Sequence, residues 1–266
     1  MSRALLLSGG AFRGAVQVPV IEELCSRNYY DAIYGVSVGS INGAMAAQDE
    51  LDKLREIWDT VDGVGSFLRP KWYWPFKGYY DMTPLRTKLE KYLSLDRVKI
   101  RYRAGVVSGT TGEYFNLKAE DMLLDREYHD AVQASSCQAG IMIPGTFIHK
   151  GKEHLGYDGG YRNIIPVPDR RYDHIDVVAC TPIDRMKMRD EFKSKDLLPM
   201  LLRGIQIMQD EIFDRDISSI IWSGADSVTV YAPQESPGDS FVADKKTIEF
   251  RYKLGEDALR WPHYLK

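Results

Sequence analysis

Two short apolar runs, residues 4–7 and 32–36, flank a helical stretch near residues 14–26, and this spacing limits the fold more than any other feature of the chain. Each run is too short for a helix and leads into glycine-bearing sequence, as buried strands of a helix-covered sheet do. Strand, crossover and strand in one sheet are almost always parallel and right-handed, so the C-terminal ends of the two strands lie side by side. Two glycine-rich turns follow those ends: Ser8-Gly9-Gly10-Ala11-Phe12-Arg13-Gly14 and Gly35-Val36-Ser37-Val38-Gly39. They are expected to be neighbours, with a second helix over residues 40–48.

Further strands are expected at residues 105–108, 175–180 and 228–231, each short, apolar and rich in β-branched side chains. Between residues 197 and 221, Leu198, Leu201, Leu202, Ile205, Met208, Ile212 and Phe213 recur at three- and four-residue spacing, the mark of an amphipathic helix that covers a sheet. The expected fold class is α/β, a mainly parallel central sheet covered by helices on both faces. No repeat, low-complexity tract or linker divides the 266 residues, so a single domain is expected.

Composition narrows the function. The 35 basic and 38 acidic residues leave a net charge of -3, which gives no overall field to attract nucleic acid. Cys25, Cys137 and Cys180 are odd in number and far apart, a pattern of neither metal site nor disulfide framework, and it fits a reducing compartment. The first apolar run is too short for a signal peptide, and no run reaches the roughly 18 residues of a membrane span. A cytoplasmic protein is expected, with any lipid contact made at its surface. Residues 71–80 crowd Trp72, Tyr73, Trp74, Phe76, Tyr79 and Tyr80 together. They read either as rings packed on the body or as a lid or membrane-touching rim at Trp72, Trp74 and Phe76.

A serine with glycine two residues away on each side suits a strained strand-to-helix turn that presents its hydroxyl for nucleophilic attack. Gly35 and Gly39 would be needed because a Cβ at either place would collide with a neighbouring strand or helix. The first turn opens a helix, where backbone N–H groups lack intrahelical partners. These amides make a natural anion site of the kind that binds the oxyanion of acyl transfer, with Gly14 closing the turn. Arg13 would either hold this loop or face a phosphate head group. The same stretch approximates a dinucleotide fingerprint, Gly9-x-Ala11-x-x-Gly14, but the acid that should end the second strand is missing, since Asp31 precedes that strand. A base for Ser37 is sought among five histidines and the acids. The α/β-hydrolase order does not map here, because the serine follows the second strand. Asp158-Gly159-Gly160 offers a carboxylate in a glycine turn, approachable without intervening side chains.

These elements together resemble the patatin-like phospholipases, with a glycine-rich oxyanion loop at residues 9–14, a Gly-x-Ser-x-Gly turn at 35–39 and a downstream Asp-Gly-Gly at 158–160. The alanine-serine segment at 131–136 leading to Pro144, together with Asn163 and Pro166, is similar to the same family. The resemblance runs from residue 4 to about 180, and residues 182–266 are matched loosely. It implies a Ser-Asp dyad in which Ser37 is the nucleophile and Asp158 the general base, supported by Gly159 and Gly160, with the amides of Gly9, Gly10 and Ala11 binding the oxyanion and with no metal and no cofactor. The implied substrate is a phospholipid or related lipid ester. Two departures stand out: Ala11 replaces a frequent third glycine, and extra residues precede Pro144, which leaves the pocket shape near residues 137–142 open. Two other readings remain: an inactive lipid-binding or interaction protein of the same fold, and a Ser-His-Asp esterase using His149 or His154.

Overall fold

The computed structural model describes residues 1–71, 78–188 and 193–266. The chain enters through β1 (Arg3–Leu7), passes a 3-10 turn at Ala11–Val16 into α1 (Gln17–Arg27), and returns as β2 (Ala32–Val36) before α2 (Val38–Ala47) and α3 (Leu51–Asp59). A two-residue ribbon of β3 (Arg69–Pro70) and β4 (Tyr80–Asp81) precedes α4 (Thr83–Tyr92). Next come the antiparallel pair β5 (Arg101–Ser108) and β6 (Tyr114–Lys118), α5 (Asp125–Ser135), and a second pair, β7 (Thr146–His149) and β8 (Lys152–Asp158). The remainder is β9 (His174–Val178), α6 (Leu197–Ile221), β10 (Ser227–Tyr231), α7 (Lys245–Arg260) and β11 (His263–Tyr264).

The sheet runs β11-β10-β9-β1-β2-β5-β8-β7, with β6 also paired to β5. Its five central strands, β10, β9, β1, β2 and β5, are mutually parallel, and the antiparallel strands lie at its two ends. Alternate residues of β1 and β2 point to opposite faces. Leu5, Leu7 and Ile33 join the core built with α1 to α5, while Ala4, Leu6, Ala32 and Tyr34 join a second core closed by Phe213 and Ile220 of α6. This is the expected α/β sandwich. Among the described residues no helix is long and apolar enough to cross a membrane.

The expected elements recur with shifted ends. The first helical stretch divides into a 3-10 turn and α1, and α2 starts directly after Ser37 rather than at residue 40. Residues 105–108 are only the end of β5, whose earlier half carries Arg101 and Arg103. Arg103 is buried there because Glu120 takes its guanidinium through two hydrogen bonds of 2.5 Å. α6 spans the expected residues, but only its second half covers the sheet. Leu202, Ile205, Gln206 and Gln209 in its first half line a cavity instead.

One register decides where the chemistry lies. On β5, Gly105 pairs with Val36, the last residue of β2, and the next residue, Val106, pairs with Asp158, the last residue of β8. The other edge of β5 is taken by β6 along residues 103–107, so β8 occupies the edge that β2 has just left. A parallel and an antiparallel strand therefore meet end to end on one edge, with Ser37 and Asp158 at the junction.

Candidate active site

Ser37 stands between β2 and α2 with φ 56° and ψ -128°, a left-handed backbone that a non-glycine residue adopts only under constraint. The constraint is visible around it. A Cβ on Gly35 would lie 2.2 Å from the Gly39 carbonyl oxygen, and one on Gly39 would lie 2.3 Å from that of Leu7. The strand, the helix and the end of β1 thus approach backbone to backbone, as the flanking glycines implied. The Ser37 N–H donates to Ser135 Oγ at 3.0 Å, and that hydroxyl donates in turn to the Gly105 carbonyl at 2.7 Å. The alanine-serine segment of α5 is therefore a brace for the turn.

The glycine loop packs directly against this turn. A Cβ on Gly14 would meet Val38 Cγ2 at 2.3 Å, and one on Gly9 would come within 3.2 Å of Ser37 Cβ. Ala11 takes φ 50°, which gives a physical reason why glycine suits this position. The expected trio of oxyanion amides needs one correction: the Gly9 N–H donates to the Ile164 carbonyl at 2.8 Å and is not open to a substrate. The N–H groups of Gly10 and Ala11 have no hydrogen-bond partner among the described residues. Arg13 is buried and donates from Nε to the Gly238 carbonyl at 2.8 Å, so it anchors the loop while also lining the cavity.

Two further bonds reach the loop from the end of the chain. Phe12 N–H donates to the Ser240 carbonyl at 3.1 Å. Arg251 of α7, fully buried, donates to the carbonyls of Phe12 (3.1 Å), Pro237 (3.1 Å), Val242 (2.8 Å) and Asp239 (2.5 Å). Burial, and then the nearby Arg13 charge, lower its pKa to about 10, which leaves it cationic at neutral pH.

Asp158 ends β8 and caps the 3-10 turn Gly159–Tyr161, accepting the Gly160 N–H at Oδ1 over 2.7 Å. Gln138 Nε2 donates to Oδ2 at 3.1 Å, and the Ser37 side chain is near enough to lower the carboxyl's pKa. Only 1% of the residue is exposed. Desolvation outweighs the lowering by Ser37, Gly160 and Gln138 and pushes its pKa up to about 6. A Cβ on Gly159 would lie 2.3 Å from the Gly105 carbonyl, so this turn too needs a bare backbone beside β5. Gln138 belongs to the segment before Pro144 whose shape the sequence left open. It was not foreseen, since nothing in its neighbours marks a glutamine that reaches back to a carboxylate.

Ser37 opens into a cavity of about 110 Å³. Arg13, Gln138, Gln206 and Gln209 give it a polar side, and Phe12, Trp58, Phe67, Met82, Leu85 and Ile205 an apolar one. None of the five histidines lines it. His154 is buried with Nδ1 3.0 Å from Ser108 Oγ, His149 packs on Phe115, and His129 meets the Leu93 carbonyl at 3.0 Å. Both histidines of the Ser-His-Asp reading are thus engaged elsewhere. Trp72, Trp74 and Phe76, the expected rim, lie outside the described residues.

No curated protein matches the sequence. Among solved structures, the crystal structure of VipD from Legionella pneumophila matches at 10% identity and a TM-score of 0.44, covering 100% of this chain and 68% of that one. The model of one family, described as patatin-like phospholipase, matches residues 5–169, a span that includes both glycine turns, the α5 segment and Asp158. By that match over more than half its length, the chain belongs to the patatin-like phospholipase family.

Proposed function

We propose that the chain is a serine acyl hydrolase that cleaves ester bonds of phospholipids or related lipids through Ser37 and Asp158. The observation that carries this reading is a buried carboxylate brought by the β5 register beside a strained serine that lines a largely apolar cavity. Ser37 Oγ attacks the acyl carbonyl while Asp158 takes its proton. The oxyanion that forms is stabilised by the Gly10 and Ala11 N–H groups, each contributing a few kcal/mol. Collapse breaks the ester C–O bond, and Asp158 returns its proton to the departing alcohol oxygen. Water then attacks the acyl-serine with Asp158 again as base, collapse breaks the acyl C–Oγ bond as Asp158 returns the proton to Ser37 Oγ, and the fatty acid leaves.

A carboxylate with an ordinary pKa near 3.9 is a weak base at neutral pH. Desolvation makes Asp158 a better one, and the hydrogen bonds from Gly160 and Gln138 fix which oxygens face which neighbours. The reading assigns no cofactor. Its lipid side is supported by the apolar cavity wall and by Leu197, Met200, Leu201, Ile207 and Met208, which stand exposed on the first half of α6 beside the cavity-lining Leu202 and Ile205. The unpaired cysteines fit work in the cytoplasm.

A fluorophosphonate probe should label the wild-type protein at Ser37 and leave Ser37→Ala unlabelled. Asp158→Asn should lower ester hydrolysis by roughly 10²- to 10⁴-fold, the range for loss of a general base. Replacing His149 and His154 together should leave turnover in place. Hydrolysis retained by Ser37→Ala would overturn the reading. An unlabelled wild type would favour the inactive lipid-binding alternative.

A further inference from the structure

The cavity has two unlike ends. Its polar end carries the half-buried Gln138, Gln206 and Gln209. Its other end is blind: Trp58, Leu85, Met82, Leu68 and Phe67 are all buried there. The one polar side-chain atom of Trp58 is already satisfied, since Nε1 donates to Asn42 Oδ1 at 2.9 Å. Ile41, one helical turn beyond Ser37 on α2, also lines the cavity.

A second, smaller cavity of about 10 Å³ lies beyond this end, lined by Met45, Ile57, Lys88, Leu89, Tyr92 and Leu93. Three side chains, Ile41, Phe67 and Leu85, line both cavities and so form the partition between them. The partition is braced. Leu85 N–H donates to the Phe67 carbonyl at 3.0 Å, and the Phe67 ring stacks on Phe12 at 5.5 Å and meets the edge of Trp58 at 5.8 Å.

An ester held with its oxyanion on Gly10 and Ala11 must send its two substituents in different directions. The polar end suits an alcohol or head group, and the blind end suits a hydrocarbon tail, which gains about 0.8 kcal/mol for each methylene buried. Resting on the hydrolase reading, we infer that Ile41, Phe67 and Leu85 form a stop that sets the longest acyl chain the site accepts. Chains up to the stop gain affinity with each carbon. Longer ones must bend back or displace the partition.

The test separates the stop from catalysis. Binding of a graded series of saturated fatty acids is measured on Ser37→Ala, and hydrolysis of the matching nitrophenyl esters on the protein with Ser37 intact. Affinity should rise with length to a limit and then fall. Leu85→Ala should move that limit to longer chains, with a gain of about fourfold for each methylene newly accommodated. Phe67→Leu, a gentler change, should move it the same way if Leu85→Ala does not fold. A uniform loss at all lengths, with the limit unmoved, would show that the three side chains are ordinary core packing and would overturn the inference. Ester hydrolysis with an unmoved limit sinks the stop alone. A limit that moves in binding without any hydrolysis supports the stop and sinks the hydrolase reading.

Discussion

At Asp158, burial suits the proposed reaction and opposes the fold. A carboxyl whose folded-state pKa is raised from 3.8 to about 6 binds more protons folded than unfolded between those values, so its contribution to stability falls as pH rises through that window. Above about pH 6 the buried charge costs roughly 3 kcal/mol, at 1.36 kcal/mol per unit. Asp158→Asn should therefore be more stable than wild type at pH 8, with a difference that vanishes near pH 4, as thermal melts across pH would show. Asp216, also buried and pushed up to about 6, shifts stability the same way in both proteins and cancels in the comparison. The rate has the opposite dependence: hydrolysis should rise with pH through about 6 and level off above it, because only the ionised carboxylate accepts a proton. A flat profile across that range would count against Asp158 as base. Ser37 and Asp158 were legible as residues because glycines bracket one and follow the other. Ser135 lay within the alanine-serine segment that the sequence marked, without its bracing role, and Gln138 was not legible, since a single amide leaves no pattern in the chain.

Among the elements, the turn between β2 and α2 shows why glycine sites differ. Gly39→Ala would drive a Cβ into the Leu7 carbonyl, a backbone atom that cannot step aside, whereas a Cβ at Gly65 meets nothing within 4 Å. Urea unfolding should show a loss of about 3 kcal/mol or more for Gly39→Ala. Gly65→Ala should change stability by less than about 0.5 kcal/mol. β1, β2, β9 and α6 could be read from sequence because strands buried on both faces and an amphipathic helix keep a clear apolar period. β6, β7 and β8 could not. They are antiparallel strands near the end of the sheet, and Lys152, Glu153 and His154 interrupt any apolar run. The carboxylate was visible in the sequence, then, but not the strand that delivers it.

Across the whole molecule, the part of the chain beyond the matched family model holds up the part within it. Arg251 lies 239 residues from Phe12, yet it bonds the carbonyl in the middle of the first glycine loop along with three others in residues 237–242. Arg251→Met would leave four carbonyls without this donor, and buried unsatisfied groups cost about 1–3 kcal/mol each. A loss of roughly 3 kcal/mol or more is expected, read as a lower melting temperature. In the protein that remains folded, kcat should fall more than KM rises, since the Gly10 and Ala11 amides sit next to the loosened residue. Sequence showed none of this, because an arginine surrounded by carbonyls has no acidic partner to give it away.

The end-to-end meeting of β2 and β8 on one edge of β5 has a consequence for how such a protein can change. The spacing of Ser37 and Asp158 is a property of a backbone ladder, Gly105 beside Val36 and Val106 beside Asp158, and owes little to the side chains around them. α3 and α4, which carry Trp58 and Leu85, attach to the intervening chain without entering that ladder. Under the proposed mechanism, diversification of substrate preference is thereby uncoupled from upkeep of the reaction: the blind end can be recarved residue by residue while Ser37 and Asp158 keep their separation. One inserted residue between Gly105 and Val106 would do the reverse, displacing Asp158 from Ser37 by about 3.3 Å and leaving the apolar cavity whole.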